Sequence, residues 1–286
     1  MSTHRPGSVW ACGQQAAPRQ RGHRYAVSST THPAKMFPAI AAHAITAYSK
    51  PGDLVLDPMC GIGTTLVEAI AQDRRAIGVD YEPHWAAITA GNLHLARGRH
   101  PGADATVHLG DAQHLTRVLP QHQHGTVDLI VTSPPYGSRT HGLIHRGTDT
   151  GGKVTKTAHR YGRDRRDRDQ LAHRPLSTLL EGLTEVFAGC AAMLTPGGTM
   201  VIAARPWTEH GHLLDFPSLV THTATTAGLE PVERCAALLA AWHTNTAELT
   251  AHHTFFRLHN TRTARNAGQP QHLTIHEDIL TFRRPT

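Results

Sequence analysis

Ser133-Pro134-Pro135-Tyr136 follows a short apolar, β-branched run, Val127 to Thr132, and offers more chemistry than any other stretch of this 286-residue chain. The prolines lack N–H donors and hold the backbone extended, and Ser133, standing before a proline, is pushed the same way. Gly137 then frees the chain to turn. The corner therefore presents a hydroxyl, the Pro134 carbonyl and an aromatic face at the carboxyl end of a buried strand, where open α/β sheets bind ligands.

The second group is Asp57-Pro58-Met59-Cys60-Gly61-Ile62-Gly63-Thr64-Thr65, a glycine turn between a strand and a helix. A phosphate-binding P-loop needs Lys after its last glycine, where this chain has Thr64. The dinucleotide fingerprint needs a third glycine, and Gly61-Ile62-Gly63 supplies two. The remaining reading is a nucleoside site for a cationic ligand, which nearby acids favour. Asp57, Asp80 and Asp111 each close a strand, so a doubly wound sheet sets all three along one rim. Asp80, about twenty residues past the turn, suits a ribose diol. Asp111 suits an adenine amino group, and Asp57 can face a cationic amino acid moiety.

Alternating elements must position these groups. Strands are expected at 54–57, 76–80, 106–111, 127–132, 199–203, 231–242 and 276–284, with helices at 39–48, 64–72, 83–97, 176–194 and 215–227. Thr64 is the expected N-cap of the helix after the glycine turn, and 195–198 is expected to be a turn. This rhythm implies an α/β fold: a doubly wound, Rossmann-like sheet of seven mostly parallel strands with helices on both faces. Residues 1–31 are polar and expected to form a flexible N-terminal arm, which Trp10 and Tyr25 can pin to the body. Residues 32–286 make one domain, interrupted at about 138–174 by a basic insertion. Arg139, Arg160, Arg163, Arg165, Arg166 and Arg168 lie there among glycines, a composition suited to tracking phosphates more than reading bases.

The formal charge of +6 points to a polyanionic partner. Cys12, Cys60, Cys190 and Cys235 are far apart and include no Cys-x-x-Cys pair, which argues against a disulfide framework and a zinc ribbon. The 24 histidines are scattered, and no carboxylate or cysteine completes a ligand set, so no metal is expected. No apolar run approaches the length of a membrane span, and 1–29 lacks a signal-peptide core, so a cytoplasmic location and no membrane partner are expected.

Taken together, the motifs resemble those of the S-adenosylmethionine-dependent amino-group DNA methyltransferases of the Ser-Pro-Pro-Tyr type. His32-Pro-Ala-Lys-Met-Phe-Pro38 resembles the motif preceding that family's cofactor loop, and Asp57 to Thr65 resembles the loop itself. Thr132 to Tyr136 resembles its catalytic motif, while 194–198 and 276–282 resemble its later strand motifs. Met59 stands for the usual Phe and Ile62 for the usual Ser, and no separate target-recognition domain is evident.

The resemblance implies a methyltransferase sheet with S-adenosylmethionine held by Lys35, Phe37, Asp57, Pro58, Gly61, Gly63, Thr64, Asp80, Tyr81, Asp111 and Ala112. It implies Ser133, Pro134, Pro135 and Tyr136 as the catalytic corner, acting on a base flipped out of double-stranded DNA within a restriction-modification setting. Ser at the first catalytic position goes with N4 of cytosine ahead of N6 of adenine; tRNA guanine-N2 methylation and a non-catalytic nucleic-acid-binding protein are the alternatives. Oligomeric state is left open.

Overall fold

A computed structural model describes residues 7–136, 144–146, 154–156, 170–209, 212–252 and 255–286. The chain opens with β1 (Val9–Trp10), α1 (Ala17–Arg21), a 3-10 turn (Val27–Thr31) and α2 (Pro38–Tyr48). Strict alternation follows: β2 (Leu54–Asp57), α3 (Thr64–Ile70), β3 (Arg75–Asp80), α4 (Pro83–Arg99), β4 (Ala105–Leu109), the short α5 (Leu115–Val118) and β5 (Val127–Thr132). A small hairpin, β6 (Ile144–Arg146) with β7 (Val154–Lys156), precedes α6 (Leu176–Met193) and β8 (Leu194–Ala204). Then come β9 (Trp207–Glu209), β10 (His212–Leu214), α7 (Phe216–Thr226), β11 (Glu230–Leu238), β12 (Ala240–His243), β13 (Glu248–Ala251), α8 (Phe255–Asn266) and β14 (His276–Arg283).

The central sheet runs β1-β11-β14-β8-β5-β2-β3-β4. Strands β4, β3, β2, β5 and β8 are mutually parallel, and β14 is antiparallel to both β8 and β11. The seven expected strands are present, and β1 adds an eighth at the edge. From β2 the chain winds outward through β3 and β4, then returns to start again at β5 on the other side. The crevice between β2 and β5 is thus the topological switch point, the place where a doubly wound sheet binds its ligand.

Burial on both faces explains why the central strands read as continuous apolar runs. On β5, Val127 and Ile130 join one core with Leu183, Phe187 and Phe216, while Leu129 and Val131 join the opposite core with Ile40, Leu66 and Leu93. Each such large apolar side chain contributes roughly 1.5–3 kcal/mol when fully buried.

Several expectations are corrected. The segment expected to be a flexible arm is packed from β1 on: Trp10 is 3% exposed, Cys12 and Tyr25 are buried, and β1 hydrogen-bonds to β11. Trp10 stacks on His43 of α2, so local polarity was outweighed by a few apolar anchors. The strand expected at 231–242 divides at Leu239, because β12 leaves the sheet to pair with β13. The turn expected at 195–198 is already part of β8. Helix α6 is long and apolar enough to cross a membrane, contrary to expectation, but Leu179, Leu183, Val186, Phe187, Cys190 and Met193 bury its apolar stripe in the core.

Candidate active site

The glycine turn is built by backbone that only glycine adopts easily. Gly61 and Gly63 have φ of 55° and 76°, in the left-handed region. A Cβ on Gly63 would lie 2.7 Å from Thr89 Cγ2, and one on Gly61 would meet His32 Nε2 at 3.0 Å. Gly63 is the N-cap of α3 and Thr64 its first residue, so the cap falls one position earlier than expected. The turn is drawn onto β3 by two bonds: Cys60 N–H donates to the Val79 carbonyl at 2.9 Å, and Gly61 N–H to Asp80 Oδ2 at 2.8 Å.

The three rim acids do converge on one cavity, but each is already engaged with the chain. Asp57 is buried; its Oδ1 accepts from Thr132 Oγ1 at 2.9 Å and Met59 N–H at 3.1 Å, and its Oδ2 from Thr65 Oγ1 at 2.7 Å. Burial pushes its carboxyl up to about 6 against the pull of those bonds. Asp57 therefore also has a structural role, since donors of the protein itself reach both oxygens while the residue lines the cavity. Asp80 accepts from Gly61 N–H and from Glu82 N–H at 2.9 Å, and burial pushes it up to about 7. Asp111 caps the turn after β4, accepting from Gln113 N–H at 2.9 Å and Gln113 Nε2 at 3.2 Å.

The cavity is lined by Lys35, Asp57, Pro58, Gly61, Thr64, Asp80, Tyr81, Asp111, Ala112 and the whole corner Ser133 to Tyr136. The glycine turn and the serine corner therefore face one space across the β2–β5 crevice. Lys35 Nζ donates to the Thr30 and His32 carbonyls at 3.1 and 2.6 Å, and burial lowers its amine to about 8. Two expected residues fall elsewhere. Phe37 packs against the α2 core with Met36 and Ala39, and Gly63 shapes the turn without lining the space. Arg139, Arg160, Arg163, Arg165, Arg166 and Arg168 lie outside the described residues.

Tyr136 departs from its expected role as an open stacking platform. Its ring is buried, 5.8 Å from Trp207 and 5.2 Å from Phe216 between centroids, and the Arg205 guanidinium lies 5.0 Å over it. Burial raises its phenol above the ordinary range. The ring thus braces the corner through Trp207, Phe216 and Arg205 while lining the cavity, and Ser133 is half-buried on the same wall.

Sequence reasoning missed His32, Glu82 and the segment Gln170 to Ala172, all lining the cavity. His32 packs edge-on to Trp85 at 4.5 Å beneath the turn. Gln170 is 7% exposed and donates from Nε2 to Glu82 Oε1 at 2.5 Å, and its Oε1 is buried without a partner among the described residues. The insertion expected to run to 174 therefore gives way by Gln170 to cavity wall. A second acid two positions past Asp80 was the available signal for Glu82; nothing local marks Gln170.

These residues fit S-adenosylmethionine. Close backbone approach at left-handed Gly61, carboxylates near successive strand ends, a buried amide oxygen without a partner among the described residues and the Lys35 cation in the lining match a nucleoside bearing an amino acid. Among the described residues no group of three or more His, Cys, Asp or Glu is placed to hold a metal ion.

Residues 2–90 match the family described as DNA methylase. A stretch of 112 residues is 36% identical to the tRNA (guanine(10)-N2)-dimethyltransferase of Methanocaldococcus jannaschii, covering 38% of this chain and 31% of that protein. Type II methyltransferase M.ScaI of Streptomyces caespitosus is 31% identical over 88 residues, 31% of this chain and 28% of that one. The DNA adenine methyltransferase YhdJ of Escherichia coli is 35% identical over 92 residues, 32% of this chain and 29% of that one. The matched stretches thus span only about a third of these relatives' own length. Among solved structures, TrmN from Thermus thermophilus is 16% identical with a TM-score of 0.49, covering 92% of this chain and 52% of that one. The resemblance read from the motifs is to the amino-group methyltransferases, with DNA-acting and tRNA-acting proteins both among the relatives.

Proposed function

We propose that this chain, matched to the DNA methylase family over residues 2–90, transfers a methyl group from S-adenosylmethionine to an exocyclic amino nitrogen of DNA, N4 of cytosine. The observation that carries the reading is the shared cavity: the glycine turn at Gly61 and the corner at Ser133 line one space. S-adenosylmethionine, when bound, supplies an electrophilic sulfonium methyl.

The chain's own residues supply position and polarisation. An exocyclic amino nitrogen is a poor nucleophile because its lone pair is delocalised into the ring. Ser133 Oγ and the Pro134 carbonyl accept hydrogen bonds from the two amino hydrogens, which draws the nitrogen toward tetrahedral geometry and frees that lone pair. Holding both partners in one crevice converts an encounter into a positioned reaction. Asp80 with Glu82 accepts from the ribose hydroxyls, Asp111 faces the adenine, and Lys35 faces the amino acid carboxylate. Seating a base against Ser133 requires it to leave the duplex stack.

A second reading, guanine-N2 methylation of tRNA, is favoured by the likeness to the Methanocaldococcus jannaschii protein. Ser133 speaks against it, since such enzymes usually carry Asp or Asn before the prolines. Incubating the chain with methyl-labelled S-adenosylmethionine and either duplex DNA or tRNA, then identifying nucleosides by mass spectrometry, separates the readings. N4-methylcytosine is expected; N6-methyladenine corrects the base, and label found only in tRNA overturns the DNA reading.

A further inference from the structure

The chain leaves the sheet after β11 and returns at β14, and the register shows on which rim it does so. Thr132 of β5 is level with Ile202 of β8, Ala204 of β8 with Asp278 of β14, and Leu238 of β11 with His276 of β14. The described residues 239–252 and 255–275 therefore stand on the same rim as Ser133. Their root is held firmly: Leu239 N–H donates to the Ile275 carbonyl at 2.7 Å, and His252 N–H to the Leu239 carbonyl at 3.0 Å. A side path joins that root to the corner, because Arg205 lies over the Tyr136 ring and 3.8 Å from Glu277.

By sequence, the excursion is basic and carries apolar residues. Its charged residues are Arg257, Arg262, Arg265 and a single acid, Glu248. Arg262 and Arg265, three apart on α8 and so neighbours on one helix face, are both exposed. On the β12–β13 hairpin, Trp242 pairs with Leu249, and the two are 46% and 43% exposed. A helix without carboxylates on a chain of charge +6 repels a second copy of itself and attracts a polyanion.

Resting on the function proposed above, we infer that the β12–β13 hairpin and α8 form a docking surface for duplex DNA beside the cavity, with Arg262 and Arg265 of α8 on backbone phosphates and the Trp242–Leu249 pair in apolar contact along a groove.

The test is fluorescence anisotropy with a labelled mixed-sequence duplex at several salt concentrations, using the full chain. Arg262→Glu with Arg265→Glu should weaken binding at least about tenfold and make the log K against log salt slope shallower by about 2, since each neutralised phosphate contributes about 0.9. Arg262→Lys with Arg265→Lys should keep the wild-type slope, and Trp242→Ala should weaken binding without altering it. Calorimetric affinity for S-adenosylhomocysteine should be unchanged in all variants, which reports an intact fold and cavity. A double glutamate variant that keeps both wild-type affinity and slope overturns the surface and leaves the proposed activity standing. Loss of self-association in that variant, with duplex binding intact, overturns it equally. A wild-type chain that binds tRNA and no duplex overturns the surface together with the DNA reading.

Discussion

Thr132 Oγ1 donates to Asp57 Oδ1 at 2.9 Å, so the residue before Ser133 is bonded to the residue that begins the glycine turn. Strands β5 and β2 are neighbours, and this bond fixes the relative height of their ends. Thr65, the second residue of α3, donates to the other oxygen of the same carboxylate. One buried acid therefore ties together the two halves of the cavity that it also lines.

Thr132→Val keeps the shape and removes one donor to that acid. It should cost about 1.5–3 kcal/mol of stability in urea unfolding, the expected size for one hydrogen bond to a charged group. Because the corner loses its tether, the methyl-transfer rate should fall while affinity for S-adenosylhomocysteine stays nearly constant. An equal loss in both would mean the bond merely stabilises the fold.

Ser133→Ala removes the acceptor proposed for the amino group. Single-turnover transfer to duplex DNA should slow by about 10²-fold, the scale seen when one preorganised hydrogen-bonding group is lost. Cofactor affinity should change less than about twofold, because the side chain lies across the cavity from the glycine turn. An unaltered rate would remove Ser133 from the mechanism.

The pH dependence of cofactor binding follows from Asp80 and Lys35. Burial raises Asp80 to about 7, so below that value a ligand that bonds the carboxylate must first expel a proton. Burial lowers Lys35 to about 8, so above that value a ligand carboxylate meets a neutral amine. Affinity for S-adenosylhomocysteine should therefore rise as pH approaches 7 and fall beyond 8. Asp80→Asn should flatten the acid limb and Lys35→Ala the alkaline limb in calorimetric titrations; a profile unchanged by both would separate these groups from the ligand.

Gly13 clamps the N-terminal segment to the root of the β12–β13 excursion. A Cβ there would lie 2.2 Å from Ala240 N and 2.4 Å from Leu239 C, both backbone atoms that cannot swing aside. Gly13→Ala should accelerate amide exchange in β1 and across 239–252 and lower stability by at least about 1–3 kcal/mol, the usual cost of forced overpacking. Protection in β2 and β5 should remain, since neither touches the clamp. Uniform loss of protection would show that the segment is part of one cooperative core.

Much of the architecture was legible from the chain because its signals are local. The β-branched runs, the prolines at 134 and 135, the glycines at 61 and 63 and the acids at strand ends each act within a few residues, and together they specify the alternating fold and the turn. That Phe37 would face the core, that Tyr136 would be braced by Arg205 and Trp207, and that Gln170 would close the cavity were not legible. Each depends on a partner far away in sequence, as Gln170 depends on Glu82. Burial depends on every neighbour at once: the same tertiary packing that buried the apolar anchors of an otherwise polar N-terminus also raised the pKa of Asp57 and Asp80. Sequence by itself determined which groups this protein can bring to a reaction. Only strand register and packing decided which of them face the cavity and which hold it open, because those are sums over long-range contacts that no local pattern encodes.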